Sequence, residues 1–253
     1  MIFLQKIIKA INENVLIYRV RRYFKLKIGY KKNLNDYTIQ IYEDKIFYKI
    51  LECFRINSFF QIGIGDPDLN RDPLYKFIIK KKLKGTVIEP HPILFQKLQK
   101  YYENNLKLDC LVGDQLDKIE NFFYVDEKFL GLYEDYAKTI SSVNKEHLIE
   151  HKILPKHIIN KKTKSKTISS ILNDNKIMKF DLLFLDVEGF EYKILRNFLE
   201  NTNFYPCIVF EWRHFKKKDL LNLLEEMELK YNYKFITFRS DLMCFTNSNL
   251  LND

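Results

Sequence analysis

From residue 59 onward, short apolar runs alternate with longer stretches that carry an apolar residue every three or four positions. Residues 59–62 form the first run and residues 86–89 the second, which stops at Pro90. Between them Leu74, Phe77 and Ile78 share one helical face behind Asp72-Pro73, where Asp can cap a helix and Pro can occupy its first turn. His91-Pro92 opens a second helix, with Leu94, Phe95, Leu98, Tyr101 and Tyr102 at a period of 3.6. A third strand is expected over residues 108–112, ending at Gly113-Asp114. Residues 180–186, FDLLFLD, have the unbroken apolar character of a buried central strand. The turn Val187-Glu188-Gly189 follows, then a helix lined by Phe190, Ile194, Leu195 and Phe198. Residues 207–211 give another strand and 219–231 another helix. Residues 233–238 and 242–246 form a closing hairpin. Repeated strand–helix units predict an α/β fold with a mostly parallel sheet, helices on both faces and a C-terminal antiparallel hairpin.

Two regions depart from this rhythm. Residues 2–26 place Ile2, Leu4, Ile7, Ile8, Ile11, Val15, Ile17 and Tyr18 at helical spacing with basic residues between them. Residues 1–50 are therefore read as a basic amphipathic helical extension to a domain spanning 51–253. Such a helix packs on its own domain or on a second subunit, which leaves a homo-oligomer open, or it contacts an anionic membrane surface. Residues 115–170 form an insertion, in which 121–125 alternate as a strand, 145–151 read as a helix and KHIINKKTKSK reads as a basic loop. An insertion of this length inside an α/β domain suits a lid.

Composition narrows the class. With 253 residues, 46% of them hydrophobic, the chain can bury a sizeable core. No apolar run approaches the roughly 20 residues that span a bilayer, and the N-terminal segment lacks a secretory cleavage pattern. Cys53, Cys110, Cys207 and Cys244 are scattered with no CxxC pair, so a reducing cytoplasm is the expected location. A net charge of +9 is compatible with a nucleic-acid or membrane-surface partner, and equally with the ordinary surface of a Lys-rich chain. The charge concentrates at Arg21, Arg22, Lys25, Lys27, Lys31 and Lys32, and again at Lys161, Lys162, Lys164 and Lys166.

The segment FFQIGIGDPD begins like a dinucleotide fingerprint, yet Asp68 stands where its third glycine would be. In open α/β sheets ligands bind beyond the carboxyl ends of the strands. Here acids occupy four such ends: Asp66, Glu89, Asp114 and Asp186. A pyrophosphate needs bare N–H groups, and two like charges about 4 Å apart repel by roughly 4 kcal/mol at an effective dielectric near 20. S-adenosylmethionine (SAM) carries no phosphate and two positive groups. Gly63 and Gly65 would let the backbone approach its methionine part. Glu89 would accept from the ribose hydroxyls and Asp114 from the adenine amino group.

The segments QIGIGDPDLNRDPLY, VIEPHPILFQKL, TISSILND, FDLLFLDVEGFEYKILRNF and IVFEWRHF together resemble the FkbM-type methyltransferases. FYVDE at 123–127 and NKEHL at 144–148 match further elements of that pattern, and the resemblance covers residues 59–245. It implies a Rossmann-like SAM-dependent fold and methyl transfer, usually to a hydroxyl oxygen of a glycan or other small metabolite. Two departures stand in the glycine turn: Gly65-Asp66-Pro67 replaces Asn-Asp-Gly, and Ile64 replaces a smaller Ala. The expected cofactor contacts are Gln61, Gly63, Gly65, Asp66, Glu89, Asp114 and Asp186. Asp186 is expected on the cofactor and acceptor side of the site, with Glu188 or His214 as the base that takes the acceptor proton. The Asp186-Val187-Glu188-Gly189 turn differs from the Asn/Asp-Pro-Pro-aromatic turn of base-methylating enzymes, so nucleic acid is not the expected acceptor. His147, His151 and His157 lack the HExxH order and a third ligand at a recognisable spacing, and no metal is expected. The competing readings are a nicotinamide-dependent oxidoreductase and a non-catalytic basic binder of nucleic acid or membrane surfaces.

Overall fold

The computed structural model describes residues 38–41, 44–64, 66, 74–238 and 240–250. The expected helix over 2–26, Gly65 and the Asp72-Pro73 cap lie outside these residues. The chain divides into two compact units, residues 1–56 with 205–253 and residues 57–204.

The first unit opens with β1 (Thr38–Ile41), which runs parallel to a strand from the far end of the chain, and α1 (Asp44–Leu51). A strand at 38–41 was not expected in the helical extension. Its four residues form an edge strand by pairing with residues 235–238, a partner that local pattern does not reveal.

The second unit then begins. Its strands β2 (Ser58–Ile62) and β3 (Lys84–Ile88) flank α2 (Tyr75–Lys81), and α3 (Pro92–Tyr101) leads to β4 (Leu106–Leu108). Apolar side chains fill β2, with Phe59, Phe60 and Ile62 each 1% exposed. His91 takes the cap position of α3 and Pro92 its first turn, where the missing N–H costs nothing. The strand expected over 108–112 is in fact two. β4 ends the main sheet, and β5 (Leu111–Val112) starts another sheet by pairing with the strand at 158–166. Asp114 therefore follows a strand of the second sheet.

The insertion continues with β6 (Ile119–Val125), 3-10 turns at Glu127–Leu132 and Asp135–Lys138, β7 (Ser141–Ser142), α4 (Lys145–Glu150) and β8 (Ile158–Lys166). The expected basic loop is thus a nine-residue strand. It pairs antiparallel with β6 from Ile119↔Lys164 to Val125↔Ile158, and the second sheet runs β5-β8-β6-β7. Asn160, Lys162 and Lys164 point to solvent while Ser165 is buried, so the lysines mark one face of a sheet. The insertion has its own core of Val125, Ala137, Ile140, Leu148 and Ile153. His157 is fixed within it: the Leu154 N–H donates to the Tyr133 hydroxyl, which shares a hydrogen bond with His157 Nδ1 at 2.7 Å, and the ring stacks on Phe129.

The chain returns to the main sheet through α5 (Ile168–Asp174), β9 (Leu182–Leu185) and α6 (Glu191–Asn201). Thr167 caps α5 with a reciprocal capping box involving Ser170. In this unit the order is β9-β2-β3-β4, all parallel. The sheet's start is tied by Asp181, whose carboxylate accepts from the N–H groups of Asn57 and Ser58 and from the Ser58 hydroxyl.

The first unit is completed by β10 (Cys207–Glu211), α7 (Lys217–Tyr231), β11 (Lys234–Phe238) and β12 (Asp241–Phe245). β12 runs antiparallel to both β10 and β11, as the closing hairpin requires. The mixed α/β class, mostly parallel with an antiparallel C-terminal hairpin, is the one the periodicity predicts. No described helix is long and apolar enough to cross a membrane.

Candidate functional site

A cavity of about 210 Å3 opens past the carboxyl ends of β2, β3 and β9. One wall comes from the sheet: Ile62, Gly63, Ile64, Glu89, Pro90 and the 186–188 turn. The other comes from the insertion, where Phe122 and Val143 are apolar and Thr139, Ser141 and Ser142 carry hydroxyls. Three carboxylates line the cavity, Glu89, Asp186 and Glu188, and no Lys or Arg is among the described residues that do.

The backbone at the sheet's rim is tightly built. Gly63 has φ +78, and a Cβ there would stand 1.8 Å from the Asp186 carbonyl oxygen. The glycine is demanded by the neighbouring strand's own backbone, where the sequence suggested room for a ligand. Gln61 is fully buried and donates to the Gly63 carbonyl while accepting from the Tyr102 hydroxyl, so it braces the turn from behind. Glu89 is also buried. Its Oε2 accepts from the Ile64 N–H at 3.0 Å and its Oε1 from the His91 N–H at 2.7 Å.

The turn after β9 is strained. Glu188 has φ +53, a left-handed conformation that costs a non-glycine residue on the order of 1 kcal/mol or more, and Gly189 follows at φ +102. What holds it is Glu191, which was not singled out from the sequence. This fully buried carboxylate in the first turn of α6 accepts from the N–H groups of Val187 and Gly189, both at 3.0 Å. An acid beside a helix start reads as a dipole partner in sequence; only the fold turns it inward. The Ser142 hydroxyl also donates to the Glu188 carbonyl. Glu188 Oε2 lies 3.2 Å from Nε2 of the largely buried His147. His147 and His151 share a face of α4, with ring centroids 4.8 Å apart.

Asp114, Asp66 and His214 are not among the residues that line the cavity. Asp114 has its Oδ1 buried without a hydrogen-bond partner, and its carbonyl accepts from Asn197. Asp66 is buried and pairs with Lys97 at 2.6 Å. His214 belongs to the first unit, where its Nε2 lies 3.1 Å from Glu211 Oε2 and Glu211 faces Asp241 across β10 and β12.

His91, beside Glu89, is fully buried against Tyr124 with neither ring nitrogen hydrogen-bonded. Burial pushes its pKa down from 6.5 to about 4. The folded state therefore keeps His91 neutral while the unfolded chain takes up a proton below pH 6.5. Stability is full above that pH and falls as the pH drops through the window to 4. At about 1.4 kcal/mol per pKa unit the loss is about 3 kcal/mol. Urea unfolding between pH 7.5 and 4 checks this: His91→Phe is expected to flatten the slope, with little cost at pH 7.5 because it removes two unpaired polar atoms.

A family model described as the methyltransferase FkbM domain matches residues 61–235. The chain belongs to the FkbM methyltransferase family. The match takes in every cavity-lining residue, so the cavity lies in the methyltransferase domain of an FkbM protein. Among solved structures, a Staphylococcus aureus protein assigned as a caffeoyl-CoA O-methyltransferase is similar at 9% identity, with 96% of this chain and 98% of that chain covered and a TM-score of 0.42. No curated protein matches the sequence significantly.

Proposed function

We propose that this FkbM protein is a SAM-dependent methyltransferase that methylates a hydroxyl oxygen of a small molecule or glycan precursor. The observation that carries the proposal is the cavity past the parallel strand ends, lined by Glu89, Asp186 and Glu188 with no described Lys or Arg. A site of that charge favours a ligand bearing a sulfonium and an ammonium, and repels the pyrophosphate of a nicotinamide dinucleotide. Glu89 would accept from the ribose hydroxyls. SAM, when bound, supplies an electrophilic methyl group.

The chain's own residues supply position and proton transfer. The hydroxyls of Thr139, Ser141 and Ser142 and the rings of Phe122 and Phe190 suit a hydroxyl-bearing acceptor, which must be held about 3 to 3.5 Å from the methyl group. Glu188, in the cavity wall, takes the acceptor proton; its approach to His147 keeps the carboxylate oriented. Glu188 is preferred over His214 because it lines the cavity. A cytoplasmic, reducing setting fits the four free cysteines.

Titration calorimetry with SAM, its demethylated product S-adenosylhomocysteine and NADH tests the cofactor reading. Binding of both adenosyl compounds and not of NADH is expected. Binding of NADH alone would replace the methyltransferase reading with that of an oxidoreductase.

A further inference from the structure

Asp66, one of the expected cofactor contacts, has a lysine beside it in the structure. Its side chain is 1% exposed and pairs through Oδ2 with Lys97 Nζ at 2.6 Å, while Lys97 is 25% exposed. Lys97 lies on α3, and neither residue lines the cavity. The same β3–α3 unit supplies Glu89, whose Oε2 accepts from the Ile64 N–H. Two side chains of one strand–helix unit thus reach back to two points of the turn after β2. On a third side, Gly63 packs against the Asp186 carbonyl, and its N–H donates to Ile88.

This clamp answers a difficulty in the sequence. Pro67 follows Asp66 in the sequence, so the chain lacks one backbone N–H donor there. A charge buried as deeply as that of Asp66 must be matched, since a lone carboxylate would draw water into the turn or force it open.

We propose that Lys97 is a positioning residue for cofactor binding: by matching the buried charge of Asp66 it keeps that charge from forcing open the turn after β2, which then holds the shape that receives the nucleoside. This rests on the reading of the cavity as a SAM site. Asp66 acts on the turn, and its charge is matched by Lys97 instead of by the cofactor.

Calorimetry of the full chain with S-adenosylhomocysteine, beside thermal melts, tests it. Lys97→Met removes the lysine's charge from beside the buried Asp66, and is expected to weaken binding by about tenfold or more. Asp66→Asn removes the buried charge, and the double variant Asp66→Asn/Lys97→Met removes both; each is expected to bind within about threefold of wild type, giving strong coupling in the cycle. Lys97→Arg keeps the pair and is expected to bind as wild type. If Lys97→Met does not fold, Asp66→Asn decides, because a neutral side chain needs no matching lysine, whereas a carboxylate that binds the cofactor directly cannot be replaced by Asn. A loss for Asp66→Asn that the double variant shares, with Lys97→Met unaffected, would overturn the proposal in favour of direct contact. Equal affinities across the set, with only the melting temperatures moving, would overturn it as well. Failure of the wild-type chain to bind S-adenosylhomocysteine would overturn both this proposal and the reading of the cavity; indifference of the variants would overturn this one alone.

Discussion

Gly63→Ala is expected to unfold at markedly lower urea and to bind S-adenosylhomocysteine more than about tenfold less tightly. The new Cβ would sit 1.8 Å from the Asp186 carbonyl oxygen, a backbone atom with nowhere to turn. Moving either strand end would break the Gly63 N–H bond to Ile88 or the Asp186 N–H bond to Ile62, at 2.9 and 3.0 Å. The residue also sits at φ +78, where alanine is strained. Steric displacement, strain and a lost strand-end bond together give about 3 to 5 kcal/mol. With a urea slope of about 2 kcal/mol/M, the midpoint falls by roughly 2 M. Gly131→Ala is the internal control. Nothing lies within 4 Å of its added Cβ, so its stability should stay within about 0.5 kcal/mol of wild type. A Gly63→Ala protein with wild-type stability would mean that the β2 and β9 ends do not meet as described.

Glu188→Gln is expected to bind S-adenosylhomocysteine within about threefold of wild type and yet to transfer methyl groups about a hundredfold to ten-thousandfold more slowly. That corresponds to about 3 to 5 kcal/mol of transition-state free energy. Glutamine keeps the size of the side chain and removes its basicity. The backbone that aims it remains held by Glu191 and Ser142. The measurement is transfer of labelled methyl from SAM to whichever hydroxyl compound in a panel the wild-type protein methylates. Transfer that survives in Glu188→Gln would remove Glu188 from the role of base and leave it as part of the cavity wall.

Where an element's cause is local, the sequence displayed it. The strands at 58–62, 84–88, 182–185 and 207–211 are runs of apolar residues between turn residues, and His91-Pro92 announces its helix through cap chemistry. Where the cause is a distant partner, it did not. Residues 158–166 read as a lysine loop because the apolar face that makes them a strand is supplied by β6, some 39 positions away at Asn121 and Asn160. Residues 38–41 were hidden for the same reason, since their partner lies nearly 200 positions on at Thr237. The site divides likewise. Glycines and acids at strand ends stood out, and Gly63, Glu89, Asp186 and Glu188 do line one cavity. Whether an acid faces a ligand or a lysine one helix away depends on rotamers and burial. Hence the pairing of Asp66 with Lys97, the inward turn of Glu191 and the approach of His147 to Glu188 became readable only in three dimensions.

A crystal structure of the complex with S-adenosylhomocysteine shows most directly what the acid-lined cavity holds. The predicted result has the ribose hydroxyls on Glu89, the amino-acid part along Gly63, and the sulfur facing Glu188 beneath Ser141 and Ser142. An adenosine bound away from Glu89, with Asp186 and Glu188 left in solvent, would contradict it.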